Sequence, residues 1–171
     1  GGRSAGALKG ALRRIAGLNR EAPGFHTQGI AASTTAYESG LRSPKELARH
    51  AFGVSQIGSP AHYSLVLLAE KFGLDLGTIK IVPLQSIPNV MSATIGGRVD
   101  ATILPVGALA PAIEHGKVRG LGWVGDEVSF QIGAVFTTTK IANEKRGLVE
   151  RFLRAMRKGM REYHDAFADE R

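Results

Sequence analysis

Four residues that can bind a small polar solute lie close together in GVSQIGSPAHYS, positions 53–64: Gln56, Gly58, Ser59 and His62. The pattern predicts a strand end followed by a helix, with Ser59 as N-cap, Pro60 at the first helical position and Gly58 allowing a tight turn. The N–H groups of a first helical turn lack partners within the helix, and together with the helix dipole they favour an anion. We therefore predict that this corner holds an anionic or polar group, with Gln56 and His62 adding hydrogen bonds.

The alternative is that Ser59 only caps the helix, which is the commoner role of a Ser-Pro corner. The position of the Ser59 corner favours binding, because the corner follows a strand in a pattern where strands and helices alternate. In such folds ligands bind beyond the carboxyl ends of the strands.

Three further residues are candidates for lining the same crevice. Gln85 stands at the next strand-to-helix corner, in PLQSIPN, and Pro105 ends the strand VDATILP. Trp123 is the only tryptophan, and it either stacks on a planar ligand or fills the core. Phe25 and His26, in an early loop, could face the crevice from another lobe.

Strands are predicted at 51–56, 79–84, 99–105 and 118–125, and helices at 59–73, 86–97 and 106–116. This alternation predicts an α/β fold with a mostly parallel sheet and helices on both faces. Around it, 11–19 is predicted as a strand, 27–34 and 130–139 as extended segments, 43–50 as a helix opening on a capping box, and 144–170 as a long amphipathic helix.

The 171 residues are 43% hydrophobic, contain no cysteine and carry a net charge of +7. The lack of cysteine excludes disulfides and thiol nucleophiles. Basic residues in the densest stretch, 140–161, alternate with glutamates and not with aromatic rings, so nucleic-acid binding is not expected. The five histidines show no metal-ligand spacing on one helix face, and no nucleophile elbow or phosphate loop occurs. We therefore expect no catalytic residues, no metal and no cofactor.

Several segments in this order resemble the nitrate/sulfonate/taurine-type solute-binding proteins of ABC importers and their relatives that bind thiamine-pyrimidine precursors. These segments are LRSPKELARHAFGVSQIGSPAHYSLVLLAEKFGLD, VPLQSIPNVMSATIGGRVDATILPV, IEHGKVRGLGWVGD and GAVFTTTKIANEKRGLVERFLRAMRKGMREYHDAF. The resemblance covers about residues 10–168. It implies a two-lobed, type II periplasmic-binding-protein fold.

By this resemblance, residues 1–34 would be part of a first lobe and a crossover, 40–125 a complete second lobe, and 130–171 the return crossover and the C-terminal helix of the first lobe. The crossovers near 27–34 and 130–137 would form the hinge. Family members begin with a strand, helix and strand that this sequence lacks, so we expect a sequence truncated at its N-terminus or one piece of the natural protein.

The resemblance implies a periplasmic, monomeric protein that captures a small anionic or heteroaromatic solute between its lobes and delivers it to a membrane permease. The resemblance also implies that seven residues bind the ligand: Gln56, Gly58, Ser59, His62, Gln85, Pro105 and Trp123. Two other classes stay open from the sequence. One is the effector-sensing domain of a transcription regulator, and the other is an enzyme similar to a pyrimidine-precursor synthase.

Overall fold

The computed structural model describes residues 10–167 of the chain. The chain divides into two compact units: residues 19–132 form the larger one, and the described parts of the smaller one are 10–18 and 133–167. The predicted assignment of 1–34, 40–125 and 130–171 to lobes and crossovers stays a prediction, and its residues 1–9 and 168–171 lie outside the described part.

Seven strands occur in the described residues: β1 (Leu12–Glu21), β2 (Gln28–Ser33), β3 (Ala51–Val54), β4 (Lys80–Pro83), β5 (Ala101–Pro105), β6 (Val118–Trp123) and β7 (Phe130–Thr138). The same residues hold seven α-helices: α1 (Thr34–Glu38), α2 (Pro60–Phe72), α3 (Ile87–Ile95), α4 (Val106–Glu114), α5 (Val124–Glu127), α6 (Thr139–Glu144) and α7 (Arg146–Phe167). Single 3₁₀ turns occupy Pro44–Glu46 and Leu76–Thr78.

The larger unit is built on a five-stranded sheet in the order β4-β3-β5-β2-β6. Strand β3 runs parallel to β4 and to β5, whereas β2 is antiparallel to both β5 and β6. Four of the five strands therefore run in one direction, and the predicted mostly parallel α/β sheet is confirmed. The segment 27–34, predicted as an extended crossover, supplies the antiparallel strand β2 inside this sheet.

Apolar side chains cover both faces of this sheet, as the α/β pattern predicts. Ile30 and Ile103 belong to the larger buried cluster with Phe52, while their chain neighbours Ala31 and Leu104 belong to a second cluster. Because successive strand residues point to opposite faces, each pair places one side chain in each cluster. Helix α2 covers the first face, and α3 and α4 cover the second.

Local capping explains where the helices of this unit begin and end. The Ser59 hydroxyl accepts a hydrogen bond from the His62 N–H at the start of α2, and Gly73 ends α2 in the left-handed conformation with φ 65°. Ser86 caps α3 through the Asn89 N–H. A Ser or Thr cap is worth about 1 kcal/mol, and a C-terminal glycine satisfies carbonyl groups that the helix leaves open.

Two predicted helices differ in the structure. The capping box of Ser43 and Glu46 forms, but it closes a single 3₁₀ turn instead of a helix over 43–50. The predicted helix 144–170 begins at Arg146, after the separate short helix α6, and its residues 168–170 lie outside the described part. In the smaller unit the Thr139 N–H donates to Ala11 O at 2.8 Å, which ties α6 to the segment before β1.

Candidate functional site

All of the predicted site residues lie at one edge of the five-stranded sheet. The carboxyl ends of β3, β4, β5 and β6 meet there, since these strands share one direction. Helices α2, α3, α4 and α5 begin close beyond those strand ends. The antiparallel strand β2 contributes its first residues to the same edge, because Gln28 lies opposite Pro105 and Gly29 opposite Trp123.

The corner before α2 has open space around Gly58, but most of its N–H groups already donate hydrogen bonds to acceptors within the corner. A Cβ at Gly58, where φ is 81°, would meet nothing within 4 Å. The Gly58 N–H donates to Nδ1 of His62 at 2.9 Å, and the His62 N–H donates to the Ser59 hydroxyl at 3.3 Å. The Gln56 carbonyl accepts from the Ser59 N–H at 3.1 Å. His62 therefore turns back over the corner, and among the described residues only the Ala61 amide of this first helical turn lacks an acceptor.

Gln85 stands at the neighbouring corner and is held there by the sheet. Its backbone is left-handed, with φ 71°, and its N–H donates to the Ser55 carbonyl at 2.7 Å. That bond joins the corner before α3 to the corner before α2. Gln85 is exposed, so its amide side chain is accessible at this edge.

Helix α4 begins without a side-chain cap, which sequence reasoning did not anticipate. Pro105 occupies the N-cap position and is exposed, but it offers no side-chain hydrogen bond to the first turn. The Val106 N–H donates to Thr27 O at 3.0 Å. Gly107 follows, and a Cβ there would meet nothing within 4 Å. The amides of Gly107 and Ala108 therefore lie at a helix start that no side chain caps, and the only sequence signal for them is a small-residue run after a proline.

Trp123 lies at the end of β6, packed by residues of two other elements. Its ring lies against Gly29, where a Cβ would come within 2.9 Å of Trp123 Cζ3 and 2.6 Å of Leu109 Cδ2. The indole thus reaches back over β2 toward α4. The His26 ring stacks on it, with centroids 5.5 Å apart and planes 11° apart. Trp123 is half-buried in this position, and its predicted stacking on a planar ligand stays a prediction.

The charge along the edge is uneven. No acidic residue occurs in the first turn of α2, α3 or α4, whereas the short helix α5 carries Asp126 and Glu127. Glu127 is paired with the Lys71 ammonium at 2.7 Å. An anion at the starts of α2 to α4 therefore meets helix dipoles without a nearby carboxylate in those turns.

Buried polar groups under the edge could not be predicted from the sequence, because their hydrogen bonds depend on pairing between distant segments. The Gln28 amide donates to the Ser64 hydroxyl at 3.1 Å, and both residues are buried. The Glu21 carboxylate is fully buried and accepts hydrogen bonds from both the N–H and the hydroxyl of Thr27. These bonds fix the start of β2, which supports the middle of the edge.

Within the described residues, no group of three or more His, Cys, Asp or Glu side chains is placed to hold a metal ion. In the same part of the chain, no helix is long and apolar enough to cross a membrane. The edge thus offers hydrogen-bond donors, helix dipoles and an aromatic ring, which are the groups that bind a small polar or anionic molecule.

Solved structures show that this architecture is the periplasmic-binding-protein fold. The aliphatic sulphonate-binding protein SsuA of Escherichia coli superposes with a TM-score of 0.73 at 20% identity, over 97% of this chain and 54% of that one. A Candida albicans protein, the CA3427 gene product with the generic periplasmic-binding-protein fold, gives 0.71 at 15% identity, over 98% and 53%. SsuA of Xanthomonas axonopodis pv. citri, bound to MOPS, gives 0.69 at 22% identity, over 89% and 49%. The chain spans about half the length of these structures.

The family model described as NMT1/THI5 like matches residues 25–166. The chain therefore belongs to this family, and the predicted resemblance to the nitrate/sulfonate/taurine-type group is confirmed. No curated protein sequence matches the chain.

Proposed function

We propose that this chain is the solute-binding part of an ABC importer and that it captures a small anionic solute at the carboxyl edge of the five-stranded sheet. One observation carries this proposal: α2, α3 and α4 all begin at this edge without an acidic residue in the first turn, and α4 begins without a side-chain cap. Each helix start contributes about half a positive charge.

The predicted ligand-binding residues take different roles in this proposal. The Ser59 corner and the Gln85 corner are adjacent through the Ser55–Gln85 hydrogen bond, so Gln56, Gly58, Ser59, His62 and Gln85 are proposed to serve one head group together with the start of α4. Pro105 lines the site at the start of α4. Trp123 is proposed to bound it on the β6 side.

Similar proteins support a sulfonate as the solute class. Two of the superposed structures are described as sulfonate-binding proteins, and one of them holds MOPS. A sulfonate offers three acceptor oxygens, which suits amide donors from several helix starts. The net charge of +7 favours anions over cations at long range. Heteroaromatic anions satisfy the same donors through their anionic group alone.

The remaining features follow the family and are proposed for the whole protein. We propose that the solute is enclosed between two lobes by hinge motion in the periplasm, and that the protein acts as a monomer that hands the solute to a membrane permease. Binding without catalysis is proposed, since the edge gathers donors and no arranged nucleophile and base among the described residues.

Calorimetry on the full 171-residue chain tests the proposal. Ethanesulfonate, propionate and nitrate serve as anionic probes, and choline is the cationic control of similar size to the organic anions. We expect at least one anion to bind with an affinity that falls as salt rises, and choline to give no heat. Binding of choline alone, or of none of the anions, would refute the proposed function.

A further inference from the structure

The His26 ring covers the only tryptophan at the solute edge. Its plane is 11° from that of the Trp123 indole, with centroids 5.5 Å apart. Nε2 of His26 lies 2.5 Å from Oδ1 of Asp126, and the side chains of the pair are 29% and 47% exposed. His26 is thus held over the indole by a stack and by a hydrogen bond, yet it remains accessible to a solute.

The indole is half-buried and packs against strand β2. Gly29 backs its six-membered ring so closely that a Cβ there would lie 2.9 Å from Cζ3. The same Cβ would clash with Leu109 of α4, so the indole and Leu109 lie on the same side of strand β2. A flat group held at the start of α4 would therefore reach the indole, and His26 occupies the place where that group would stack.

The loop that carries His26 is fixed at both ends. Pro23 and Gly24, with φ 77° at Gly24, form a type II turn closed by the Phe25 N–H on Ala22 O at 2.8 Å. Just beyond it, the Thr27 N–H lies 3.2 Å from Oε1 of Glu21.

Glu21 holds the base of this loop through hydrogen bonds to Thr27. It is fully buried and accepts from the backbone and the hydroxyl of Thr27. A buried carboxylate is costly unless its hydrogen bonds are satisfied. Gly125 permits the close packing, because a Cβ there would lie 2.9 Å from Oε2 of Glu21 and 2.7 Å from Ala22 O.

We propose that His26 is a specificity-determining residue of the solute site, whose ring bars flat groups from Trp123, and that Glu21 is a positioning residue that fixes the loop carrying His26. This inference rests on the proposed function, since it assumes an anionic head group at the helix starts. It adds that the protein discriminates against solutes with a planar ring next to that head group.

Calorimetry with three sulfonates separates this inference from the proposed function. Benzenesulfonate and cyclohexanesulfonate share a head group and a six-membered ring, but only the first is flat; ethanesulfonate has no ring. In His26→Ala we expect the preference for benzenesulfonate over cyclohexanesulfonate to rise roughly 3- to 10-fold, the range of an aromatic stack, with ethanesulfonate affinity unchanged. His115→Ala, which removes an exposed histidine at the far end of α4, should leave all three affinities unchanged.

An unchanged preference in His26→Ala while ethanesulfonate still binds overturns this inference alone. An equal gain for both rings also overturns it, because that result reflects added space and not stacking. If the unmodified chain binds none of the three sulfonates but does bind nitrate or propionate, this inference is overturned while the proposed anion site stands; if it binds no anion at all, both are overturned.

Trp123 fluorescence tests the positioning role of Glu21 without any solute. Releasing the His26 ring should expose the indole to water, so Thr27→Val, Glu21→Ala and His26→Ala should all shift the emission to longer wavelength. Thr27→Ser keeps the hydroxyl and should retain the original spectrum. If Glu21→Ala is unfolded by circular dichroism, Thr27→Val decides the question. A folded Thr27→Val variant with unshifted emission overturns the positioning role.

Discussion

An aspartate at position 107 should strengthen the fold and at the same time abolish most anion binding. Gly107 is the second residue of α4, and a Cβ there would meet nothing within 4 Å. Replacing a helical glycine gains a few tenths of a kcal/mol, and a carboxylate in an uncapped first turn gains about 0.3–1 kcal/mol from the helix dipole. Gly107→Asp should therefore raise the free energy of unfolding by about 0.5–1 kcal/mol, which corresponds to a few degrees in Tm.

The same carboxylate would repel an anion bound at this helix start. Two like charges about 6 Å apart at an effective dielectric constant of about 20 repel by about 3 kcal/mol, which weakens binding by roughly a hundredfold, or nearer tenfold if the site is well hydrated. The matched control is Gly107→Asn, which has almost the same shape without the charge. Calorimetry with ethanesulfonate at low and high salt measures the difference, which should shrink as salt screens the repulsion.

The comparison of Asp with Asn decides whether the start of α4 binds the solute. If both variants bind ethanesulfonate equally well, no anion sits near these amides and the proposed head-group site is wrong. If both lose binding equally, the added side chain acts by its bulk and the electrostatic reasoning fails. The proposal is supported only if Gly107→Asp loses ethanesulfonate binding while Gly107→Asn does not, and if the stability of Gly107→Asp is at least equal to that of the unmodified chain.

Three further substitutions test the supporting structure. Ser59→Ala should cost about 1 kcal/mol of stability through the lost cap and weaken ethanesulfonate binding as well; unchanged binding in calorimetry would confine Ser59 to capping. Gly29→Ala should destabilise by about 1–3 kcal/mol in urea unfolding, because its Cβ would lie 2.6 Å from Cδ2 of Leu109; an unchanged midpoint would contradict this close packing. Thr102→Val should cost about 1 kcal/mol, since it keeps the shape of the side chain but removes the buried hydroxyl that donates to Gly53 O at 2.9 Å; an unchanged urea midpoint would contradict this.

Features encoded by adjacent residues were predictable from the sequence. Ser59, Pro60 and Gly73 mark both ends of α2, and the structure begins and ends the helix as these residues predict. Capping depends on groups within four residues of each other, so no tertiary information is needed. The capping box at Ser43 also forms as the sequence predicts, but how far the chain stays helical after it depends on packing that the box does not encode.

Features that depend on pairing between distant segments could not be predicted. The segment 27–34 reads as extended in isolation, and nothing in it specifies that it pairs antiparallel with both β5 and β6. The hydrogen bonds between Glu21 and Thr27 follow from that pairing, because only the sheet fixes where β2 starts. Likewise, the sequence spacing does not determine the local partner of His62, whose Nδ1 accepts from the Gly58 N–H; its role in ligand binding stays a prediction.

The insertion of β2 also decides which predicted residues can share a solute. Neighbouring strands lie about 4.8 Å apart, so the order β4-β3-β5-β2-β6 separates the ends of β4 and β6 by four steps, or about 19 Å. Gln85 and the backbone of Trp123 therefore cannot both touch a solute a few ångströms long. The start of α4, after the central strand β5, is within reach of the Gln85 corner on one side and of the indole over β2 on the other. The head group of the solute should accordingly bind at the start of α4 together with the Gln85 corner, and the flank on the β6 side should determine what may be attached to it.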